Sequence, residues 1–441
     1  MNDVRIGRKN AMDESVGKKT MAKITKRFLP ILFVCFVVSF LDRVNVGFAA
    51  LTMNADIGLS ASQFGFGAGL FFITYVLAEV PSNLALERYG ARLWIARIMV
   101  TWGLLSAGTA FVQGATSFYV VRLLLGAAEA GFFPGIIFFL THWVPPAYRG
   151  RFIGAFMAAM PVASVIGSPV SGLILGMDGV WGLHGWQWLF LIEALPAILL
   201  APVVYLVLSD KPDDCDWLAD DERAWLGKAL AQNEGATAAH VGFWDVVRTP
   251  AVLLLAVAWF GLTGINYGLS FFMPQIVSGF GGSKLTVGLL SALPFACAGI
   301  AMILWGARSD RLGERRLHIC SAVLLSIGGL IGTAVSSTLV VKLAFLCVAS
   351  AGIFSALPLF WSLPPTVLPR AAFAAGIAAI NAVGNLSGFI QPTIMGQFRD
   401  RFGGFEGGLA SIALCATIGV LLIWRVSRPS PSLATNSPVH S

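Results

Sequence analysis

The chain has 441 residues, 56% of them hydrophobic and only 12% charged, with a formal charge of +7 and a mean hydropathy of +0.77. Soluble domains carry about 25% charged residues, so this composition excludes a water-soluble globular protein. The positive charges follow the connections between apolar stretches, which argues for a lipid bilayer and against nucleic acid as the partner.

A helix that crosses a bilayer needs about 20 mostly apolar residues. Stretches of that length lie near 28–50, 62–86, 92–112, 116–140, 150–176 and 185–208. A second set lies near 250–277, 285–307, 317–335, 339–361, 371–396 and 405–426. The expectation is an all-α membrane protein of about twelve spans in two bundles of about six. Its boundaries are a basic tail over 1–27, bundles over 28–208 and 248–426, a central loop over 209–247 and a tail over 427–441.

The tail before Phe28 holds Arg5, Arg8, Lys9, Lys18, Lys19, Lys23, Lys26 and Arg27. It precedes a span too long for a signal-peptide core, with no small-residue cleavage site after it, and reads as an uncleaved first helix. Even-numbered connections add Arg88, Arg92, Arg97, Arg149, Arg151, Arg308, Arg311, Arg315 and Arg316, whereas odd-numbered ones hold little beyond Lys284, Arg399 and Arg401. The positive-inside rule therefore puts both termini in the cytoplasm.

The first span contains "FLDRVNVG", with Asp42 and Arg43 in apolar surroundings and Asn45 near Asp42 on the helix surface. A charge at the centre of a spanning helix costs roughly 2.5–3.5 kcal/mol on insertion scales, and such groups are functional by default. The second span adds Tyr75, a candidate hydroxyl for the same interior. Glu79 and Glu193 are also nominally within spans and read as helix-end or packing residues. The fourth span, "FYVVRLLLGAAEAGFFPGIIFFL", carries Arg122 and Glu129 seven residues apart. Seven residues return to within about 20° of the same helix face, roughly 10 Å along the axis. Pro134 is placed to bend that helix or loosen its hydrogen bonding.

One interior cavity holding Asp42, Arg43, Arg122 and Glu129 is the economical arrangement. Two ionised acids and two arginines sum to zero, and protonating either acid leaves room for an anion. Arginine suits the task because its planar fork grips carboxylates and stays charged. The same four groups could instead form a salt bridge that only locks the first and fourth helices.

The central loop is acid-rich and reads as a solvated linker. From Trp217 to Leu230 it predicts a short amphipathic helix, with Trp217, Leu218, Trp225 and Leu226 toward membrane or protein. The halves echo each other across it. Arg88, Gly90 and Arg92 of "ERYGAR" correspond to Arg311, Gly313 and Arg315 of "DRLGER" at an offset of 223 residues. Pro169 maps onto Pro392 at that same offset. Internal similarity of one orientation is the signature of a transporter built from parallel repeats, with substrate near the midplane. With Asp310, the residues of these loops form charge clusters able to latch the ends of the halves in one state; a purely topogenic role is the alternative. In the second half, Asn266, Tyr267, Asn381 and Asn385 can bond substrate hydroxyls or carboxylates, or simply join helices. The six cysteines are scattered without metal spacing, so neither a metal nor a disulfide framework is expected. No nucleophile–base constellation appears either, so no enzyme activity and no cofactor are expected.

The stretches "LDRVNVGFA" (41–49), "EVPSNLALERYGARLW" (79–94), "RLLLGAAEAGFFPG" (122–135), "SDRLGERR" (309–316) and "NAVGNLSGF" (381–389) resemble the major facilitator superfamily, and within it the anion:cation symporter family. The resemblance covers nearly the whole membrane region. It implies the major facilitator fold and proton-coupled uptake of an organic anion by alternating access. Asp42 and Glu129 match the positions that handle protons, Arg43 and Arg122 those that bind or orient the substrate carboxylate, and Tyr75 a substrate-contacting tyrosine. Glu87 stands where the general loop motif has Asp, which predicts altered latching there. The expectation is a monomeric importer of a small carboxylate in a bacterial inner membrane, with tartrate, sugar acids and phthalate-like aromatics all open as substrates. Two rivals are a proton/drug antiporter of the same fold, which the Ser168 in "GSPVSG" and the two arginines disfavour, and a non-transporting nutrient sensor.

Overall fold

The computed structural model describes residues 2–231, 243–368 and 373–426. The expected C-terminal tail and the stretch 232–242 of the central loop lie outside the described residues. Within them every regular element is helical. The first half comprises α1 (Asn2–Asp56), α2 (Ala61–Tyr89), α3 (Ala91–Gly108), α4 (Ala115–Glu129), α5 (Phe132–Trp143), α6 (Pro146–Met157), α7 (Ala159–Ile174) and α8 (Gly185–Val207). The central loop supplies α9 (Asp220–Ala231) and α10 (Phe243–Val247). The second half runs through α11 (Pro250–Ser278), α12 (Lys284–Leu312), α13 (Arg316–Val335), α14 (Leu339–Phe360), α15 (Pro364–Val367), α16 (Phe373–Phe402) and α17 (Glu406–Val426).

Taking α4–α5 and α6–α7 as single kinked spans, eleven spans are long and apolar enough to cross a membrane. The amide-bearing α16, packed along α2 and α11, completes the twelve expected. Local chemistry sets several boundaries. A capping box starts α2: the Gln63 amide donates to Ser60 Oγ (3.2 Å) and the Ser60 amide to Gln63 Oε1 (3.0 Å). Gly90, at φ +88°, ends it in a conformation that a side chain would strain. The fourth span breaks where Pro134 lacks the N–H that would reach the Ala130 carbonyl. Ser82 Oγ donates to that freed carbonyl instead, at 2.6 Å.

Each half packs as its own bundle, α1 against α7 and α8 in the first and α11 against α16 and α17 in the second. The halves meet along α2–α16, α7–α12 and α1–α11. The α2–α16 and α7–α12 seams are built alike. A Cβ on Gly65 of α2 would overlap the Pro392 carbonyl of α16, and one on Gly288 of α12 the Ser168 carbonyl of α7. Gly65 and Gly288 are 223 residues apart, as are Pro169 and Pro392, so one internal repeat places both contacts. The seams close the face away from the chain termini. There Asp400 of α16 accepts from the Ala61 and Ser62 amides at the start of α2, at 3.0 and 2.8 Å.

At the terminal face the basic tail is helical and continuous with the first span. Its partner is the central loop. Glu222, fully buried, accepts from Lys23 Nζ at 2.7 Å and lies 3.4 Å from Lys19 Nζ. Burial works against the Glu222 charge, yet Lys23, the Ala219 amide and Lys19 outweigh it and hold the carboxyl below its ordinary value. Trp217 stacks on Trp143 (5.4 Å) under the Arg27 guanidinium (5.0 Å). The loop's apolar face is thus turned to protein, and its acidic residues are not all solvated.

Candidate functional site

The charges expected together do share the interior of the first bundle, in two groups. Arg43 Nη2 donates to Glu129 Oε1, which also accepts from Ser39 Oγ at 3.0 Å. Ser39 sits one turn before Arg43 on α1, so it reaches the same oxygen. Asp42 points elsewhere, as neighbours about 100° apart on a helix must. It accepts from Ser106 Oγ of α3 and from Asn45 Nδ2 at 3.4 Å. Arg122 Nη2 donates to the Ala68 carbonyl at 3.1 Å and has no carboxylate ion pair among the described residues. The Phe71 ring lies 5.5 Å from the Arg43 guanidinium and 5.0 Å from that of Arg122, which spaces the two cations with a π face.

A cavity lies between the halves, on the terminal-face side of the glycine seams. Arg43, Tyr75, Asn266, Tyr267, Asn381 and Asn385 all line it, as the sequence led one to expect. Asp42, Asn45, Arg122 and Glu129 do not: at 0–2% exposure they are packed behind the wall in the first bundle. The single open chamber for all four charges is therefore corrected to one exposed guanidinium backed by a buried polar layer. Steric demand explains this, since α4 approaches α2 so closely that Gly126 abuts the Phe71 carbonyl.

Across the cavity the second half offers amides, hydroxyls and rings. Tyr267 donates its hydroxyl to Asn385 Oδ1 at 3.1 Å. Asn266 Oδ1 is buried without a donor. Trp259 stacks on Phe360 at 4.6 Å and meets Trp361 edge-on at 4.8 Å, making an aromatic wall. Glu79 corrects the helix-end reading: it accepts from Asn381 Nδ2 at 3.3 Å, linking the halves beside the cavity. Ser39, Ser106 and Trp259 went unmarked in sequence, because a serine or tryptophan on an apolar helix carries no signal until its neighbour is known.

The loop clusters hold within their own halves here. Asp210 accepts from the Arg92 amide at 2.9 Å, and the Arg92 side chain covers the Tyr205 ring at 4.1 Å and donates to the Tyr205 carbonyl. Gly90 is needed there because a Cβ would meet the Asp210 carboxylate. Arg88 is exposed beside Tyr89. In the second half, Asp310 pairs with Arg315 at 2.5 Å across the turn at Gly313, whose φ is +63°. Arg311, at the end of α12, is exposed and forms no described ion pair.

The family model for the Major Facilitator Superfamily matches residues 32–392. Two Agrobacterium vitis proteins named provisionally as tartrate transporters are 46% and 45% identical, covering 94% and 95% of this chain and 92% and 97% of their own. A quinolone resistance transporter of Acinetobacter baumannii is 40% identical over 93% of this chain and 95% of its own. Among solved structures, a bacterial homologue of the human lysosomal transporter Spinster superposes with a TM-score of 0.74 at 18% identity, covering 92% of this chain and 99% of that one.

Proposed function

The chain belongs to the major facilitator superfamily, and from that premise we propose that it imports a small organic carboxylate with protons, by alternating access. The observation that carries this reading is Arg43, a guanidinium on the cavity wall already occupied by an internal carboxylate, Glu129. A substrate carboxylate and Glu129 compete for one cation. Protonating Glu129 removes the competitor and leaves Arg43 to the substrate, so binding of proton and anion reinforce each other. Asp42 is the second proton-handling acid, with Arg122 facing it from α4. Arg122 and Asn45 act from behind the wall, orienting these groups. Tyr75, Asn266, Tyr267, Asn381 and Asn385 supply hydrogen bonds for substrate hydroxyls, which suits a hydroxy acid such as the tartrate named for the relatives.

The distribution of arginines supports both termini in the cytoplasm of a bacterial inner membrane. In that orientation the glycine seams close the outer face and the cavity lies on the inner side. The loop clusters of Arg88, Gly90 and Arg92 and of Asp310, Arg311, Gly313 and Arg315 hold the inner ends of each half in this state and re-pair when it closes. One protomer contains a complete cavity, which supports a monomeric carrier. The test is uptake of labelled tartrate into proteoliposomes under an imposed inward proton gradient. Accumulation that collapses when the gradient is dissipated is expected; flux that ignores the gradient would remove proton coupling. A second reading, proton-driven drug export, has the 40% identical quinolone resistance transporter in its favour. The same vesicles separate the two, because an exporter moves quinolone against the proton flow and leaves tartrate outside.

A further inference from the structure

The transport cycle above leaves one intramembrane carboxyl without a task. Glu193 of α8 is 4% exposed, faces away from the cavity, and accepts from Ser171 Oγ of α7 at 2.7 Å. Its other neighbours on α1 are Asn45 and Asp42. Asp42 is faced in turn by Ser106 of α3 and by Arg122 and Glu129 of α4. Neither Asp42 nor Glu193 takes part in an ion pair among the described residues. Three buried acceptors in this cluster, Asp42 Oδ2, Asn45 Oδ1 and Glu193 Oε2, have no donor at all.

Three orphan acceptors and two acids around one amide are short of hydrogen. Two bare carboxylates side by side in a dry bundle are strongly unfavourable. One proton repairs the arrangement. A protonated carboxyl can donate to Asn45 Oδ1 while Asn45 Nδ2 donates to the carboxylate on the other side, because an amide is an acceptor at one end and a donor at the other.

We propose that Asp42 and Glu193 hold one proton jointly across Asn45, in a compartment separated from the substrate cavity. The inference rests on the proton-coupled reading and assigns it a second acid. The proton comes from water on the face to which the carrier is open and returns to water on the other. When it leaves, the pair carries two negative charges, and Arg122 is the nearest cation free of a carboxylate partner. Glu193 is thus a positioning and proton-sharing residue that touches no substrate.

Infrared spectroscopy of the purified full chain in detergent, stepped through pH without substrate, follows the C=O band of protonated carboxyls. Glu193→Gln keeps the shape and the Ser171 bond and should remain folded. If the two acids share a proton, the Asp42 band in this variant titrates at a midpoint displaced by about one pH unit or more, the mark of a coupled pair. Asp42→Asn should displace the Glu193 band likewise. Ser171→Ala, which takes a donor from Glu193 alone, should also move the Asp42 midpoint and carries the test if Glu193→Gln unfolds. Midpoints that stay put in all three variants overturn the pair. The proton-coupled reading fails separately, if wild-type vesicles show no response of uptake to the proton gradient.

Discussion

The two halves share a backbone plan and divide the chemistry. At the repeat offset of 223 residues, Asp42 corresponds to Ile265, Arg122 to Phe345, Glu129 to Gly352 and Glu193 to Ala416. Every buried charge of the first bundle becomes apolar in the second, where no acid, lysine or arginine is buried among the described residues. Arg43 corresponds to Asn266, and both line the cavity from opposite sides. What the repeat preserved is helix contact, through Gly65 and Gly288 and through Pro169 and Pro392. Side chains within the bundles were free to diverge, so charge balance settled in one half and neutral recognition in the other.

The sharpest way to break this asymmetry is to give the first half the residue of the second. Arg43→Asn should abolish uptake and lower stability by about 3–5 kcal/mol, because Glu129 is left buried without its cation. Adding Glu129→Gln should restore most of the stability and none of the transport; recovered uptake in the double variant would count against Arg43 as the anion site.

The seams offer the converse test, since there the halves should behave alike. Gly65→Val and Gly288→Val each force backbones apart at the closed face. Transport should fall about tenfold or more in both, the equivalent of about 1.4 kcal/mol, and spin labels across that face should report wider distances. An effect at one glycine alone would refute the shared construction.

A smaller effect is expected in the neutral half. Asn385→Ala removes the acceptor of the Tyr267 hydroxyl and one amide from the cavity. Tartrate KM should rise about five- to tenfold, as expected for a hydrogen bond worth about 1 kcal/mol, with an unchanged pH profile. A shifted profile would mean that the second half handles protons too.

Least of all should change at the terminal face. The depressed Glu222 carboxyl contributes stability above its ordinary pKa of 4.5, and that contribution fades as pH falls through the lowered folded-state value. Differential protection of α9 from hydrogen exchange, wild type against Glu222→Gln, should be present at neutral pH and vanish in acid.

Much of this was legible in the chain because bilayer length and charge cost are strong constraints. The spans, the internal repeat, the break near Pro134 and the six cavity-lining residues follow from them. The separation of Asp42 from Arg43 follows only in part: helix periodicity splits their directions, but it does not say that Ser106 and Asn45 await one and Glu129 the other. Glu193 looked like a packing residue because a single acid near a span end has no partner in sequence. The helical tail was hidden for a similar reason, since its stability lies in contacts with a loop some 200 residues away in sequence.

Gly65 and Gly288 also bear on leakage. A carrier energised by an ion gradient loses its driving force through any continuous thread of water across the bilayer. At these two points the barrier is polypeptide pressed on polypeptide, too tight for solvent and made of groups that neither gain nor lose hydrogen ions at ordinary pH. The absence of two side chains is therefore what keeps the membrane's stored energy from short-circuiting through the protein.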